Sequence, residues 1–493
     1  MELNFDKSNK ITGSTIISYL LEKSRLTSRE AKLERNYHIF YQMLRGCREE
    51  ELKQWSLQRE TFHYSILCRE PGVEAPNLKD AHCYEETMNA FEDMAFSNEA
   101  VQDIMRVVAA ILHLGNVDFD SVRGGEASSV RESSDELPGL LHCSALLGVD
   151  NDMLSYSMCN RTMQSGSARK SVTVINLSPD KACDSRDSLI RAIYDKIFLD
   201  IVNVININNR TATGNSAKSL GLLDIFGFEI FVENSLEQLC INYCNEMLQN
   251  HFNYVIFTAE KELYLREGIV CETIVFKDNL PIMTDIETAF KALDEESKIP
   301  KGSSKTWYDK MKKLGSSKLP NLSFPTSSKD VFTVLHYAGM VTYSPIAFME
   351  KNVESLNNDL VTVMMSSSMS LVRRLFTEIP DASATSSSSS SSRSLSITSS
   401  KSSSAAGKQS IAFKFQAQLT SLMTMLRATE SHFVRCIKSN SKCRPLLYEP
   451  QLVQKQLLYS GVFEGKDSFH CIVFHCIVYC FLLLFFCVSF VFL

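Results

Sequence analysis

In the stretch GLLDIFGFEIFVENSLEQL, residues 221–239, three residues have the types and spacing to sense a phosphoryl group: Asp224, Gly227 and Glu229. An aspartate at the carboxyl end of a buried strand can hold a Mg²⁺-bound water, and α/β sheets place nucleotide sites at that end. A glycine three residues on can bring its backbone N–H close to a γ-phosphate, because no Cβ obstructs the approach. Glu229 is placed to pair with a cation or to orient water. D-x-x-G alone is a weak signal that a strand followed by a turn would explain. The apolar run before it, the second acid and the helix start after it strengthen it.

Several elements must position these residues. The continuously apolar run 219–223 suits a short strand buried on both faces. Ser235 and Gln238 form a capping box that opens a helix. That helix runs from 235 to about 267 and closes on Gly268, spanning roughly 50 Å at 1.5 Å per residue. Upstream, 101–114 carries apolar residues at helical spacing and stops at Gly115 and Asn116, after which 117–119 reads as extended. Residues 187–203 form another amphipathic helix. The expected fold class is therefore α/β with a long protruding helix.

The 493 residues are 44% hydrophobic and 22% charged, an ordinary globular composition long enough for two to four domains or one multi-lobed one. A net charge of -6 gives no general attraction to nucleic acid. The 15 cysteines are scattered and no apolar signal segment opens the chain, so a reduced cytosolic protein is expected. Cys240 and Cys244 stand one helical turn apart with no further ligand to complete a metal set nearby. Two segments break the pattern. Residues 381–406 include an unbroken serine run, 386–392, and read as a disordered loop. Residues 471–493 carry no formal charge and have the length of a membrane-spanning helix; the other reading is a non-native extension.

LLDIFGFEIFVENSLEQLCINYCNEMLQNHFN resembles the switch II loop and relay helix of the myosin motor domain. YLLEKSR at 19–25, ERNYHIFYQ at 34–42, AAILHLGNVDF at 109–119, HYAGMVTYSPIAFMEKN at 336–352, HFVRCIKSN at 432–440 and QLLYSGVFEG at 456–465 resemble further landmarks, in family order, across 1–465. The resemblance implies a P-loop NTPase-type motor core with a mixed β-sheet, the relay helix being 235–267. It implies an actin-activated Mg-ATPase that uses ATP and Mg²⁺. Asp224 would hold the metal through water, Gly227 would sense the phosphate and Glu229 would close the site. The pattern G-x-x-x-x-G-K-[ST] of a P-loop is absent, and switch I would lie just ahead of MELNFD. The converter and the lever arm with calmodulin-like light chains would lie beyond 465. The polypeptide as written is thus expected to be a truncated motor that neither binds nor hydrolyses ATP appreciably. The alternative is a non-catalytic actin-binding module, tethered to a membrane if 471–493 spans one. Either form would sit in the cytoplasm at the actin cytoskeleton.

By the same resemblance three regions meet actin. The Ser-rich segment 381–412, with Lys401, Lys408 and the nearby Lys414, takes the place of the mobile loop 2. The segment 418–440 offers Leu419, Leu422, Met423, Leu426, His432, Phe433, Val434, Arg435, Lys438 and Asn440; on residue type, its apolar members also suit a core. Residues 285–311 resemble a helix-loop-helix that docks on actin, but the stretch is shorter than usual, lacks the usual Gly, and comes after a Cys271 where Trp is common. Finally, Ser171 lies sixteen residues before Asp187, an offset that in myosins marks an acidic or phosphorylatable position, with Arg169 and Lys170 beside it.

Overall fold

The long helix begins where its capping box places it: the Ser235 N–H donates to Gln238 Oε1 at 3.0 Å, and α-helix runs over Leu236–Asn253. A π turn occupies Tyr254–Thr258, α-helix resumes over Ala259–Arg266, and Gly268 at φ +70° ends the run. The expected span is present, but it is not one uninterrupted α-helix. A π turn accommodates one extra residue and rotates the helical turns beyond it relative to those before it. The computed structural model describes residues 1–19, 23–27, 35–67, 79–131, 139–165, 171–209, 218–269, 278–299, 301–325, 330–353, 356–377, 410–442 and 444–459.

The chain divides into two units, and the first comprises 1–223 with 355–405. Its strands are β1 (Glu2–Phe5), β2 (Ile11–Thr15), β3 (Phe119–Val122), β4 (Ala127–Val130), β5 (Asn160–Ser165), β6 (Ser171–Asn176) and β7 (Lys218–Gly221). They form one three-stranded sheet, β2-β1-β7, and two hairpins, β3-β4 and β5-β6. The helix Asn98–Gly115 starts on Ser97, whose hydroxyl accepts from the Ala100 N–H, and is buried without a break from Val107 to Gly115. It packs against the helix Pro179–Asn208. There Arg186, 1% exposed, donates to the Val117 carbonyl at 2.6 Å and pairs with Asp187 at 2.7 Å. A buried guanidinium is tolerable only with such partners.

Two expectations need correction. The run 219–223 is not a strand buried on both faces: β7 is an edge strand, exposed along its length, and Leu220, Leu222 and Leu223 are 50%, 52% and 42% exposed. An apolar run supplies the preference for burial; it does not supply the layer that would cover it. Nor is the sheet mixed, since every strand pair among the described residues is antiparallel. Parallel pairs need long crossovers, whereas most pairs here close through short turns, β1 and β7 being the long-range exception.

The second unit comprises 224–354 with 406–493. Its sheet, in the order β10-β9-β8, contains β8 (Leu322–Ser323), β9 (Phe332–His336) and β10 (Gly339–Tyr343). Helices Leu280–Ser297, Ser304–Lys318 and Ile411–Arg427 pack around Leu236–Asn253 and this sheet. The Leu280–Ser297 helix runs through the shortened stretch without a break, so a helix-loop-helix is present. Trp307 ties its two arms, donating from Nε1 to the Ala289 carbonyl at 3.1 Å. Among the described residues no helix is long and apolar enough to cross a membrane; the run 471–493, Lys401, Lys408 and the serine run lie outside them.

Candidate functional site

Asp224 lies three positions beyond the last residue of β7 and opens an irregular segment that reaches Ser235 without regular structure. Such a segment must satisfy its backbone groups by other means. Three asparagines do so here. Asn242, fully buried on the long helix, accepts from the Glu229 N–H at 2.8 Å and donates to the Glu229 carbonyl at 2.8 Å. Asn245, one turn further on, donates to the Phe226 carbonyl at 3.1 Å. Asn234 accepts from the Phe231 N–H at 2.8 Å and donates to the Phe231 and Thr342 carbonyls, both at 3.0 Å. The ring of Phe228 packs edge-on against His336 and Tyr337, at 5.2 and 5.5 Å between centroids.

The side of the loop that these contacts leave open carries two of the expected residues. Asp224 and Gly227 are exposed, whereas Glu229 is half-buried. Among the described residues, a Cβ built on Gly227 would meet nothing within 4 Å. The start of the helix is fastened separately, by Lys351 Nζ donating to Ser235 Oγ at 2.9 Å and Glu237 Oε2 at 2.8 Å.

Beneath the loop lies a buried polar cluster. Glu246 Oε1 accepts from the Tyr337 N–H and lies 2.9 Å from His336 Nδ1; its Oε2 accepts from Asn279 at 2.6 Å. His336 Nε2 is 2.8 Å from the Tyr343 hydroxyl, and that hydroxyl accepts from Asn242 at 2.9 Å. Burial pushes the Tyr343 phenol well above its ordinary range. None of Asn234, Asn242, Asn245, Glu246 or Tyr343 was singled out from sequence. The available signal was polar residues at 242, 246 and 249 on the otherwise apolar face of the helix.

The second candidate surface divides sharply. Leu419, Leu422 and Met423 are each 3% exposed, on the inner face of Ile411–Arg427, so they support a surface from inside rather than forming one. Leu426 and Phe433 are half-buried; Phe433 stacks edge-on with Phe252 at 5.0 Å, and Arg435 lies over the Phe252 ring at 5.0 Å. Asn440, 1% exposed, folds its own loop by donating to the Arg444 and Leu447 carbonyls. Lys414, His432, Val434, Arg435 and Lys438 are exposed. Ser171 begins β6 and pairs with Ser165 across the β5-β6 hairpin; Arg169 and Lys170 lie outside the described residues.

The chain belongs to the myosin head family: the profile of the myosin head (motor domain) matches residues 1–467. Its relatives include a myosin-I heavy chain from Dictyostelium discoideum, 36% identical over 94% of this chain and 19% of the relative. Human unconventional myosin-Vc is 34% identical over 94% of this chain and 26% of its own length. A Dictyostelium myosin IA heavy chain is 34% identical over 94% and 48% respectively. The chain thus spans less than half of each of these relatives.

Proposed function

We propose that this chain carries the phosphate-responding and actin-contacting parts of an ATP-driven, actin-based motor. The observation that carries the reading is the exposed Gly227. Neither a positive φ nor a packing contact among the described residues calls for glycine there. Its neighbours are nonetheless held by Asn242 and Asn245. A glycine kept where only an outside group could approach suits a backbone amide that meets a γ-phosphate.

Mg²⁺ and ATP fit this loop in part. Mg²⁺ is bound through one or two carboxylates together with phosphate oxygens, and the exposed Asp224 can supply such a carboxylate through water. No group of three or more His, Cys, Asp or Glu among the described residues would grip the metal by itself. Bound MgATP would supply the phosphoryl group to be transferred. Gly227 would then present its amide, and Glu229, its backbone fixed by Asn242, would close the site. The sequence contains no G-x-x-x-x-G-K-[ST] cradle, so the 493-residue polypeptide alone holds nucleotide weakly. Micromolar ATP binding in a calorimetric titration would overturn that point.

On the actin side, Lys414, Lys438 and Arg435 would give a salt-dependent encounter with an acidic filament. The buried Leu419, Leu422 and Met423 would hold their helix in place. A phosphate on Ser171 would add up to about two negative charges to the β5-β6 hairpin; equal actin-activated rates for Ser171→Glu and Ser171→Ala in a complete motor would exclude that role. The deciding experiment is actin cosedimentation of a polypeptide that also contains a phosphate cradle. Release by saturating MgATP supports the motor, and retention supports a passive actin-binding module.

A further inference from the structure

We propose that Tyr343 and His336 are positioning residues for the loop at Glu229, joined to Glu246 in a hydrogen-bond relay that runs in one direction only. The inference deepens the phosphate-responding reading of the loop, yet its test needs no nucleotide.

Asn242 uses one amide proton on the Glu229 carbonyl at 2.8 Å and the other on the Tyr343 oxygen at 2.9 Å, while its own oxygen accepts from the Glu229 N–H. The Tyr343 oxygen therefore accepts from Asn242, which leaves its single proton free for His336 Nε2, 2.8 Å away. The Glu246 carboxylate can only accept, so the proton of a neutral His336 sits on Nδ1, 2.9 Å from Glu246 Oε1, and the bare Nε2 accepts from Tyr343. Glu246 accepts throughout, from Tyr337 N–H on the same oxygen and from Asn279 on the other. With a neutral imidazole, reversing the Tyr343–His336 link would take the proton off Nδ1 and leave it, an acceptor, facing the Glu246 carboxylate.

Every side chain of the relay is out of reach of water: Asn242, Glu246 and Tyr343 are 0% exposed, and His336 and Asn279 are 1% exposed. A buried network of this kind is stable fully satisfied and costly when one member is lost. Its members lie on three elements and, for Asn279, on the cap of the helix Leu280–Ser297. Asn242 and Glu246 are one turn apart on the long helix, His336 ends β9 and Tyr343 ends β10. A shift of the β9-β10 hairpin against the helix would therefore break the link at Tyr343 and leave one Asn242 proton without its acceptor. Asn242 would then be freer to release Glu229.

The test is hydrogen exchange of the whole chain, read at the amides of 226–234. Tyr343→Phe deletes one oxygen and nothing else, and should speed exchange at Glu229 by roughly three- to tenfold, the weight of one buried neutral hydrogen bond. The amides of Asn98–Gly115, in the other unit, should not change. Two His336 variants separate relay from mere packing. In His336→Gln the amide can stand in for Nε2 and accept from Tyr343, so protection should be retained. His336→Asn keeps a donor near Nδ1 but leaves the Tyr343 proton without an acceptor while its oxygen still faces Asn242, so it should speed exchange, though by less than Tyr343→Phe. Wild-type exchange in Tyr343→Phe, or identical behaviour of the two His336 variants, overturns the proposal. If Tyr343→Phe does not fold, the His336 pair decides alone. Loss of the nucleotide reading would leave these outcomes unaffected.

Discussion

His113 Nε2 lies 2.9 Å from the carbonyl oxygen of Trp55, with the two side chains 0% and 1% exposed. To donate to that carbonyl, Nε2 must carry the imidazole proton. Charging the ring would place a second proton in an apolar interior. Burial lowers the His113 pKa from 6.5 to about 4, opposed by the Trp55 bond and helped by the neighbouring His142.

The consequence is an acid-sensitive fold. The unfolded chain takes up this proton near pH 6.5 and the folded one only near 4. Between those values the unfolded state binds more protons, so stability is complete above the upper one and falls as pH drops toward the lower. The loss amounts to about 3 kcal/mol in the limit. His113→Gln can still donate to Trp55 and does not titrate, so its urea midpoint should depend less on pH between 7 and 5. Equal pH dependence in the two proteins would refute the assignment.

Two glycines should respond oppositely to the same change. At Gly302 a Cβ would fall 2.1 Å from the Glu296 carbonyl oxygen, a backbone atom that cannot swing aside. Gly302→Ala should cost about 1–3 kcal/mol or more, seen as a lower Tm. Gly227→Ala should leave stability within about 0.5 kcal/mol, since no described residue lies within 4 Å of its Cβ. In a polypeptide with a phosphate cradle the same substitution should abolish the response to ATP. A large fall in Tm for Gly227→Ala would show that the loop is packed, not open.

The β5-β6 hairpin is anchored at its base by Asp359, whose carboxylate accepts from the Thr162 N–H at 2.7 Å and from the Thr162 hydroxyl. Asn357 adds a bond to the Asn160 carbonyl at 3.0 Å. Asp359→Ala should cost about 1–2 kcal/mol and raise exchange in 160–165 and 171–176 more than elsewhere. Uniform change across the chain would mean the contact supports overall stability without holding the hairpin in particular.

Thiol chemistry should sort the cysteines by place in the fold. Cys143 and Cys240 are buried, and burial pushes both thiols far up; Cys244 is pushed up to about 12, again by burial first. Cys436 is exposed. A thiolate-selective reagent at neutral pH should label Cys436 well before Cys143 and Cys240, which should stay untouched until the protein unfolds. Early labelling of Cys240 would place the long helix outside the core.

Local chemistry was legible in the residues themselves. The capping box at Ser235, the closing Gly268 and the helix ending at Gly115 all appear where the residues put them. Each is a signal between residues no more than four apart. The order of the longer motifs was enough to name the family. Tertiary structure decided the rest. It left β7 uncovered, kept every described strand pair antiparallel, set a π turn in the long helix and buried Leu419, Leu422 and Met423. It also joined Asn242 to Glu229, 13 residues away, and to Tyr343, 101 residues away. Burial and hydrogen-bond closure depend on which distant segments meet, and no local pattern of residue types carries that information.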